Sequence, residues 1–303
     1  MIKHLHERYD AVTELDGGWS ADRKFKVETH EGQNRLVRVS RMDKLERKKL
    51  EYDIMTRFLD SGITMNVPLS LWTDPDTDAV FSEFTWIEGK DLSSILPTLS
   101  EQRQYDLGRE AGTILRALHG TSAPDGFPDR GSLSSRKLRQ LDAYELSSLR
   151  IDDDHDAVRF VKDNIHLTET RNKVLCHGDF HPNNLILMDG GHLGVIDFDR
   201  LDLSDPYEAF YKIQSFGRTL SVPYCVGQID AYFGDDVPDD FFLSHAVYVA
   251  HASLYSIVWA SKFTDEDISV MTDIAKQAFL DHDGFKKAVP EWYVTWKKKA
   301  GLT

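Results

Sequence analysis

Residues 177–199 read HGDFHPNNLILMDGGHLGVIDFD and carry the strongest structural signal in the chain. Two short apolar runs, 185–188 and 193–196, are separated by the glycine-containing stretch 189–192. Apolar runs of this length, joined by a turn that tolerates positive φ, are typical of a β-hairpin. The sequence therefore predicts a segment that folds back on itself.

Three polar side chains bracket this hairpin. Asp179 and Asn184 precede its first strand and Asp197 follows its second, so we expect Asn184 and Asp197 to lie side by side, with Asp179 just before them. A phosphoryl-transfer site requires this layout. One carboxylate accepts the proton of an attacking hydroxyl, while an amide oxygen and a second carboxylate hold Mg²⁺ on the nucleotide phosphates.

Length and composition limit the possible functions. With 303 residues, 41% of them hydrophobic, the chain can bury one large core or two linked lobes. The net charge of −14 argues against nucleic acid or an anionic membrane as a partner, and no protein partner is evident. The two cysteines, Cys176 and Cys225, show no metal-ligand spacing. The first eight residues lack the apolar stretch of a signal peptide, and we expect a cytoplasmic protein.

One apolar stretch raises the question of a membrane span. Residues 241–261 contain no charged side chain, and about 20 residues are enough to cross a bilayer. Serine and histidine residues interrupt this stretch, and two aspartates precede it. The pattern favours a buried helix.

The spacing of apolar residues changes along the chain, from a pattern typical of strands to one typical of helices. Strands are predicted at 11–15, 24–29, 35–39, 67–72 and 79–87, with one amphipathic helix at 43–59. A helix is predicted between Ser100 as N-cap and Gly120 as C-terminal stop, and further helices at 134–149, 156–165, 206–216, 241–263, 266–280 and 290–299. This order predicts an α+β chain with a small β-rich N-terminal lobe and a larger, mainly helical C-terminal lobe.

Taken in order and spacing, these features resemble the aminoglycoside phosphotransferase family, small-molecule kinases with a two-lobed, protein-kinase-like fold. The resemblance covers roughly residues 10–290 and rests on the run 177–179, on Asn184, and on Asp197 after the hairpin. It implies a nucleotide-binding lobe at 1–88 and a catalytic and substrate-binding lobe at 89–303. It also implies that Asp179 is the catalytic base and that Asn184 and Asp197 are the Mg²⁺ ligands.

The same resemblance implies a set of nucleotide-binding residues. Gly17, Gly18 and Ser20 stand where such kinases have the turn that covers the phosphates, and adjacent glycines let backbone N–H groups approach phosphate oxygens. Arg38, on the third strand, is the expected phosphate-binding cation. We expect its carboxylate partner to be Glu51, with Glu46 as the alternative.

At the predicted lobe junction, residues 84–89 match the hinge that binds the base. The carbonyl of Thr85 and the N–H of Ile87 would make these hydrogen bonds, and since both groups belong to the backbone, ATP and GTP remain candidates. Asp199, two residues after Asp197, either assists at the metal or caps the next turn.

The acceptor is expected to be a small molecule. Only residues 200–204 separate Asp199 from the next helical pattern, which leaves no activation loop to present a peptide. The resemblance implies transfer to a hydroxyl of an aminoglycoside-like antibiotic, whose amines Asp202 and Glu208 could bind. The main alternative is a metabolic kinase for an amino alcohol, a sugar or a homoserine-like metabolite.

Two further alternatives come from other functional classes. The first is a nucleotide-binding relative without catalysis, which the complete set of chemical residues disfavours. The second is a metal hydrolase that uses His177, Asp179 and His181 as ligands of a transition metal. Gly178 and Pro182 predict a loop at these positions, and no further histidine cluster completes such a site.

Overall fold

The computed structural model describes residues 2–15, 22–74 and 76–302. It divides into two compact units, of which the first comprises Met1–Lys90 and Leu185–Leu201 and the second Asp91–Asn184 and Asp202–Thr303. Residues 185–201, which the prediction places in the C-terminal lobe, belong to the same compact unit as the N-terminal sheet. The functional lobes 1–88 and 89–303 stay a prediction.

The first unit is built on a five-stranded antiparallel sheet with two helices. Its elements are α1 Ile2–Arg8, β1 Ala11–Leu15, β2 Arg23–Glu28, β3 Asn34–Arg41, α2 Leu45–Phe58, β4 Pro68–Asp74 and β5 Ala79–Thr85. The strand order in the sheet is β1-β2-β3-β5-β4. The predicted strands and helix of this region are confirmed, with bounds that shift by a few residues.

Side chains alternate between the two faces of the sheet along β2 and β3, and this alternation determines where the charged residues lie. Phe25 and Val27 are buried in a core with Val37, while Lys24 is the cross-strand partner of Arg38. Because side chains on a strand alternate between the two faces, residues paired across two strands lie on the same face. The register thus places the two cations Lys24 and Arg38 side by side.

The predicted hairpin is present, with strands at Leu185–Leu187 and Leu193–Val195, and we call it the central hairpin. Its register pairs Leu185 with Val195. Met65 forms a bridge with Val195, and the rings of Phe58 and Phe198 pack with centroids 5.6 Å apart. These contacts with α2 and the segment after it explain why the central hairpin belongs to the first unit.

The second unit is mainly helical. Its helices are α3 Leu92–Ile95, α4 Glu101–Gly120, α5 Leu133–Glu145, α6 His155–Asn164, α7 Val222–Phe233, α8 Phe241–Ala260, α9 Asp265–Asp281 and α10 Glu291–Ala300. The short strands Val174–Cys176 and Asp202–Ser204 pair antiparallel, and a strand at Lys90–Asp91 lies where the two units divide. Ser100 caps α4 as predicted, because its side chain accepts a hydrogen bond from the N–H of Arg103.

Helices α4 and α7 approach each other through glycine. A Cβ atom at Gly108 would lie 2.1 Å from the carbonyl oxygen of Tyr224, and one at Gly227 would lie 2.3 Å from that of Tyr105. Contacts under 3 Å are not found for real Cβ atoms. Only glycine therefore allows this backbone separation.

The uncharged stretch forms α8. By length and composition this helix could cross a membrane, and 67% of its most apolar window is buried within the fold. Val247, Ala250 and Leu254 lie in a core with residues of α5, α6 and α9. The prediction of a helix here is confirmed, and the fold covers most of its apolar surface.

Two parts of the second unit differ from the predictions. The expected helix at 206–216 is instead a 3₁₀ segment, Pro206–Phe210, followed by a π-helical turn, Ile213–Gly217. Helix α7 was not predicted, because nine of its twelve residues are buried. A helix buried on all sides shows no amphipathic period.

Candidate active site

The loop after strand Val174–Cys176 holds Asp179. Gly178 has φ +79°, a conformation that glycine adopts without strain, and the turn lets the backbone N–H of Asp179 donate to Nδ1 of buried His177 at 3.2 Å. His177 therefore supports the loop.

Two nitrogen atoms lie close to one oxygen of Asp179. Nζ of Lys212 is 2.6 Å from Oδ1, and Nε2 of His181 is 3.3 Å from the same oxygen. The side chain of Asp179 is 16% exposed and that of Lys212 is 7% exposed. Asp179 is therefore an ion-paired and largely buried carboxylate.

Asn184 is held by the loop that carries Asp179. It ends the 3₁₀ turn Pro182–Asn184, and its Nδ2 donates to the backbone carbonyl of Asp179 at 2.8 Å. This hydrogen bond fixes which side of the amide is the nitrogen. The amide oxygen, a hard ligand of the kind that Mg²⁺ prefers, is then the atom that Asn184 can offer to a metal.

Asp197 lies in the first unit, just after the central hairpin, with φ +66°. Its Oδ2 is 2.8 Å from Nζ of Lys24, and its Oδ1 is 3.2 Å from a guanidinium nitrogen of Arg38. Burial acts to raise the pKa of Asp197, but the charges of Arg38 and Lys24 outweigh it and the pKa lies below its ordinary value. Asp197 is therefore ionised at neutral pH, the form that binds a metal ion.

The predicted pairing of Arg38 with Glu51 is present. The two side chains are 2.6 Å apart and only 1% and 3% exposed, whereas Glu46 pairs with Lys49 at the surface. Burial alone would lower the pKa of Arg38, but Glu51 and the other nearby carboxylates raise it. Arg38 therefore stays charged inside the first unit.

Asp199 is also held by cations. Its Oδ1 lies 2.6 Å from Nζ of Lys48 and 3.6 Å from Arg38. Burial acts to raise the pKa of Asp199, but Arg38 and Lys48 lower it to about 2. Lys48 in turn lies 2.8 Å from Asp22 and 3.0 Å from Glu51, so one buried lysine joins three carboxylates.

The predicted base-binding segment lies at the end of β5. Both the N–H and the hydroxyl oxygen of Thr85 are hydrogen-bonded to the backbone of Val67. The side chain of Ile87 packs against Gly194 of the central hairpin, where a Cβ would lie 3.0 Å from it. The contacts of Thr85 and Ile87 with a base stay predictions. Gly17, Gly18 and Ser20 lie outside the described residues.

The two predicted acceptor-binding acids already have basic neighbours. Asp202 lies 3.4 Å from Arg130 and 3.5 Å from Arg136, and Glu208 lies 2.6 Å from Lys137. Burial raises the pKa of Asp202. For Glu208 burial acts in the same direction, but Lys137 outweighs it and the pKa is lowered. The negative charge of each acid is thus compensated by basic side chains of the second unit.

The geometry weighs against a transition-metal site at residues 177–181. Nδ1 of His177 accepts the backbone hydrogen bond from Asp179 and is not directed to a shared centre. Within residues 2–15, 22–74 and 76–302, no group of three or more His, Cys, Asp or Glu side chains could hold a metal ion. Mg²⁺ prefers carboxylate and amide oxygens to imidazole nitrogens, and the predicted Mg²⁺ ligands Asn184 and Asp197 stay a prediction.

The family described as the Phosphotransferase enzyme family (APH) matches residues 11–241. The chain belongs to this family. Its members transfer phosphate groups, so Asp179 and its neighbours lie in a phosphotransferase.

Solved structures of similar fold cover nearly the whole chain. Spectinomycin phosphotransferase APH(9)-Ia, in complex with ADP and spectinomycin, is 14% identical, with 92% of this chain and 96% of that chain covered and a TM-score of 0.68. Amicoumacin kinase hAmiN, in complex with AMP-PNP and Ca²⁺, is 13% identical, with 95% and 94% covered and a TM-score of 0.67. APH(2")-IIia, in complex with GDP and kanamycin, is 17% identical, with 89% and 93% covered and a TM-score of 0.65. The predicted α+β, kinase-like fold is therefore confirmed.

Three lysines of this phosphotransferase were missed by sequence reasoning. Lys24 and Lys48 contact Asp197 and Asp199 over 173 and 151 residues of sequence, and Lys212 contacts Asp179 over 33 residues. Of the three, only Lys24 could have been placed near the site from the sequence, because pairing of the predicted strands β2 and β3 could have set it opposite Arg38.

Proposed function

We propose that this phosphotransferase is a kinase that moves the γ-phosphate of ATP or GTP to a hydroxyl of a small molecule. The observation that carries the proposal is the hydrogen bond from the Asn184 amide to the backbone of Asp179. It joins a candidate metal ligand to a candidate base within one short loop of a chain that belongs to a phosphotransferase family.

In the proposed reaction the acceptor hydroxyl gives its proton to the carboxylate of Asp179. The acceptor oxygen forms a bond to the γ-phosphorus, and the bond from that phosphorus to the bridging oxygen of the β-phosphate breaks. The products are the phosphorylated acceptor and a nucleoside diphosphate. Phosphoryl transfer leaves little covalent work to the protein, so positioning and charge neutralisation dominate.

Asn184 and Asp197 would hold Mg²⁺, which supplies positive charge to the phosphate oxygens when bound. Asp197 is kept ionised by Lys24 and Arg38, and the amide of Asn184 is oriented by its hydrogen bond, so both donors fit the ion. The nucleotide base would contact the backbone of Thr85 and Ile87.

Arg38 is the proposed phosphate-binding cation, oriented by Glu51. Lys24 lies on the same face of the sheet and adds a second cation beside it. Gly17, Gly18 and Ser20 are proposed to cover the phosphates, as in other kinases with glycines before two strands.

For the acceptor, an aminoglycoside-like antibiotic is the first candidate, because the names of the similar solved structures include spectinomycin and kanamycin. A metabolic acceptor is the second candidate. It is favoured by one observation, that Asp202 and Glu208 are paired with arginine and lysine side chains rather than exposed for amines. A cytoplasmic location, where nucleotides are abundant, is part of the proposal.

The test is a panel of aminoglycosides, macrolides, choline, homoserine and sugars, incubated with ATP or GTP and Mg²⁺. Nucleotide consumption and the mass of the product are followed, with a chelator control. We expect one acceptor to gain a phosphate, and loss of the reaction with chelator. A protein that binds nucleotide but phosphorylates nothing would support the non-catalytic alternative. A chelator-sensitive hydrolysis restored by Zn²⁺, without nucleotide binding, would support the hydrolase.

A further inference from the structure

Lys212 is a buried cation that the proposed reaction has not used. Its ammonium lies 2.6 Å from Oδ1 of Asp179, and the residue is 6% exposed. A buried lysine is costly unless a carboxylate compensates its charge. The compensating carboxylate here is the one proposed to take the proton of the acceptor, so the pair bears directly on the chemistry.

The fold holds Lys212 from several sides. It lies between the 3₁₀ segment Pro206–Phe210 and the π-helical turn Ile213–Gly217, and its Nζ is 5.1 Å from the ring of Tyr211 and 5.2 Å from that of Phe216. Aromatic faces at this distance attract an ammonium group. The side chain is therefore fixed by ring contacts as well as by its ion pair.

The same turn also contacts the loop that carries Asp179. The ring of Phe216 packs on His181 with centroids 4.7 Å apart, and Nε2 of His181 lies 3.3 Å from Oδ1 of Asp179. Lys212 thus contacts the carboxylate of Asp179 directly, and Phe216 acts on it indirectly by packing against His181. π-helical turns inside helices occur frequently at functional sites.

We propose that Lys212 is a positioning residue for phosphoryl transfer, which holds the carboxylate of Asp179 through Oδ1 so that Oδ2 receives the proton of the acceptor hydroxyl. The ion pair fixes the rotation of the carboxylate about its Cβ–Cγ bond. Oδ1 is the less basic oxygen, because its electron density is shared with a cation at 2.6 Å. This inference depends on the proposed function, since it assigns a role to a neighbour of its base.

The expected loss of activity follows from the orientation of the Asp179 carboxylate. Without Lys212, Oδ1 loses its closest charged contact, and the carboxylate samples rotations that do not meet the hydroxyl. A misplacement of about 1 Å at a reacting group costs about 10²-fold in rate. The proposed nucleotide-binding residues do not include this pair, so we expect the loss in kcat.

The experiment compares Lys212→Met, Lys212→Arg and Lys297→Met. Lys297 provides the matched control, because it lies 3.0 Å from buried Asp230 in the same unit and has no part in the proposed site. Turnover is measured with the acceptor found in the panel, nucleotide affinity by calorimetry, and folding by thermal melting. We expect kcat to fall about 10²-fold in Lys212→Met, with nucleotide affinity within about twofold of wild type. Lys212→Arg should lose about three- to tenfold, and Lys297→Met should keep its kcat.

Wild-type kcat in a folded Lys212→Met variant would overturn the inference. If Lys212→Met does not fold, Lys212→Arg decides, because it keeps the charge and moves the donor, and wild-type kcat in that variant overturns the inference. Asp179→Asn separates the two proposals: transfer retained by Asp179→Asn refutes the assigned base, whereas an inactive Asp179→Asn beside a fully active Lys212→Met refutes the lysine alone. Adding Lys212→Met to Asp179→Asn should cause no further loss, since residues that act as a unit are not additive.

Discussion

The two units hold their functional carboxylates in different ways. In the first unit, Asp197 and Asp199 contact Arg38, Lys24 and Lys48, and each of these contacts joins residues more than 150 positions apart. In the second unit, Asp179 contacts residues two to five positions away and also the more distant Lys212. The first arrangement requires the whole unit to fold, whereas the second combines contacts within one loop with the contact to Lys212.

The units also differ in what they bury. The first unit buries charged pairs such as Arg38 with Glu51. The second unit buries histidines, and burial lowers the pKa of His119 and His245 to about 3. Both units therefore depend on buried ion pairs, and the second also depends on histidines that remain neutral.

The largest effect is expected at the local site. Asp179→Asn removes the proposed base and should reduce kcat by about 10²–10⁴-fold, the usual contribution of a general base. Nucleotide affinity should remain close to that of wild type, because this side chain is proposed to meet the acceptor. Steady-state kinetics and calorimetry check the two parts, and a variant that loses nucleotide binding would count against the assignment.

The next effect concerns the distant network and is a loss of stability. Glu51→Ala leaves Arg38 buried without its closest partner and should lower the free energy of unfolding by about 3–5 kcal/mol. Glu46→Ala, on the same helix but with an exposed partner, should cost about 0–1 kcal/mol. Urea denaturation of both variants makes the comparison. Equal losses would show that the buried network does not stabilise the first unit.

A smaller effect is expected for the proposed metal ligand Asn184. Asn184→Ala should weaken Mg²⁺-dependent nucleotide binding by at least about tenfold, the lower range for residues that support a bound metal. Asn183→Ala is the matched control, because Asn183 is the exposed neighbour. Calorimetry at several Mg²⁺ concentrations measures the nucleotide affinity of both variants. A dependence on Mg²⁺ that is the same in both variants would remove Asn184 from the metal site.

The smallest effect is a pH dependence of the second unit. An unfolded histidine binds a proton near pH 6.5, whereas buried His245 binds one only near about 3. Between these values the unfolded state holds more protons, so the free energy of unfolding decreases as pH falls, by up to about 1.4 kcal/mol per pH unit. The full contribution of neutral His245 is present above pH 6.5 and is lost by about pH 3.

Urea denaturation between pH 7 and pH 5 measures this slope. His245→Asn should reduce it by up to the contribution of one histidine, whatever its effect on stability at pH 7. His155→Asn, at an exposed histidine, should leave the slope as in wild type. A slope that does not change in His245→Asn would show that the buried histidine is not the source.

The features that the sequence predicted depend on residues that lie close together in the chain. The hairpin at 185–195 follows from two apolar runs and a turn, and the pairing of Arg38 with Glu51 follows from a strand next to a helix. The predicted strands could have placed Lys24 opposite Arg38, but the ionic partners of the lysines at positions 24, 48 and 212 could not be predicted, because that choice is made by tertiary packing. For the same reason the acids Asp202 and Glu208 looked available for amines until Arg136 and Lys137 were seen beside them.

The π-helical turn Ile213–Gly217 makes the number of residues in this segment a determinant of the site. Such a turn contains one residue more than an α-helical turn, and each α-helical residue advances about 100° around the axis. Deleting Ser215 would move Phe216 one position back in the turn, away from the place where its ring packs on His181. Insertions and deletions here are therefore expected to be far more harmful than substitutions of the exposed residues around them.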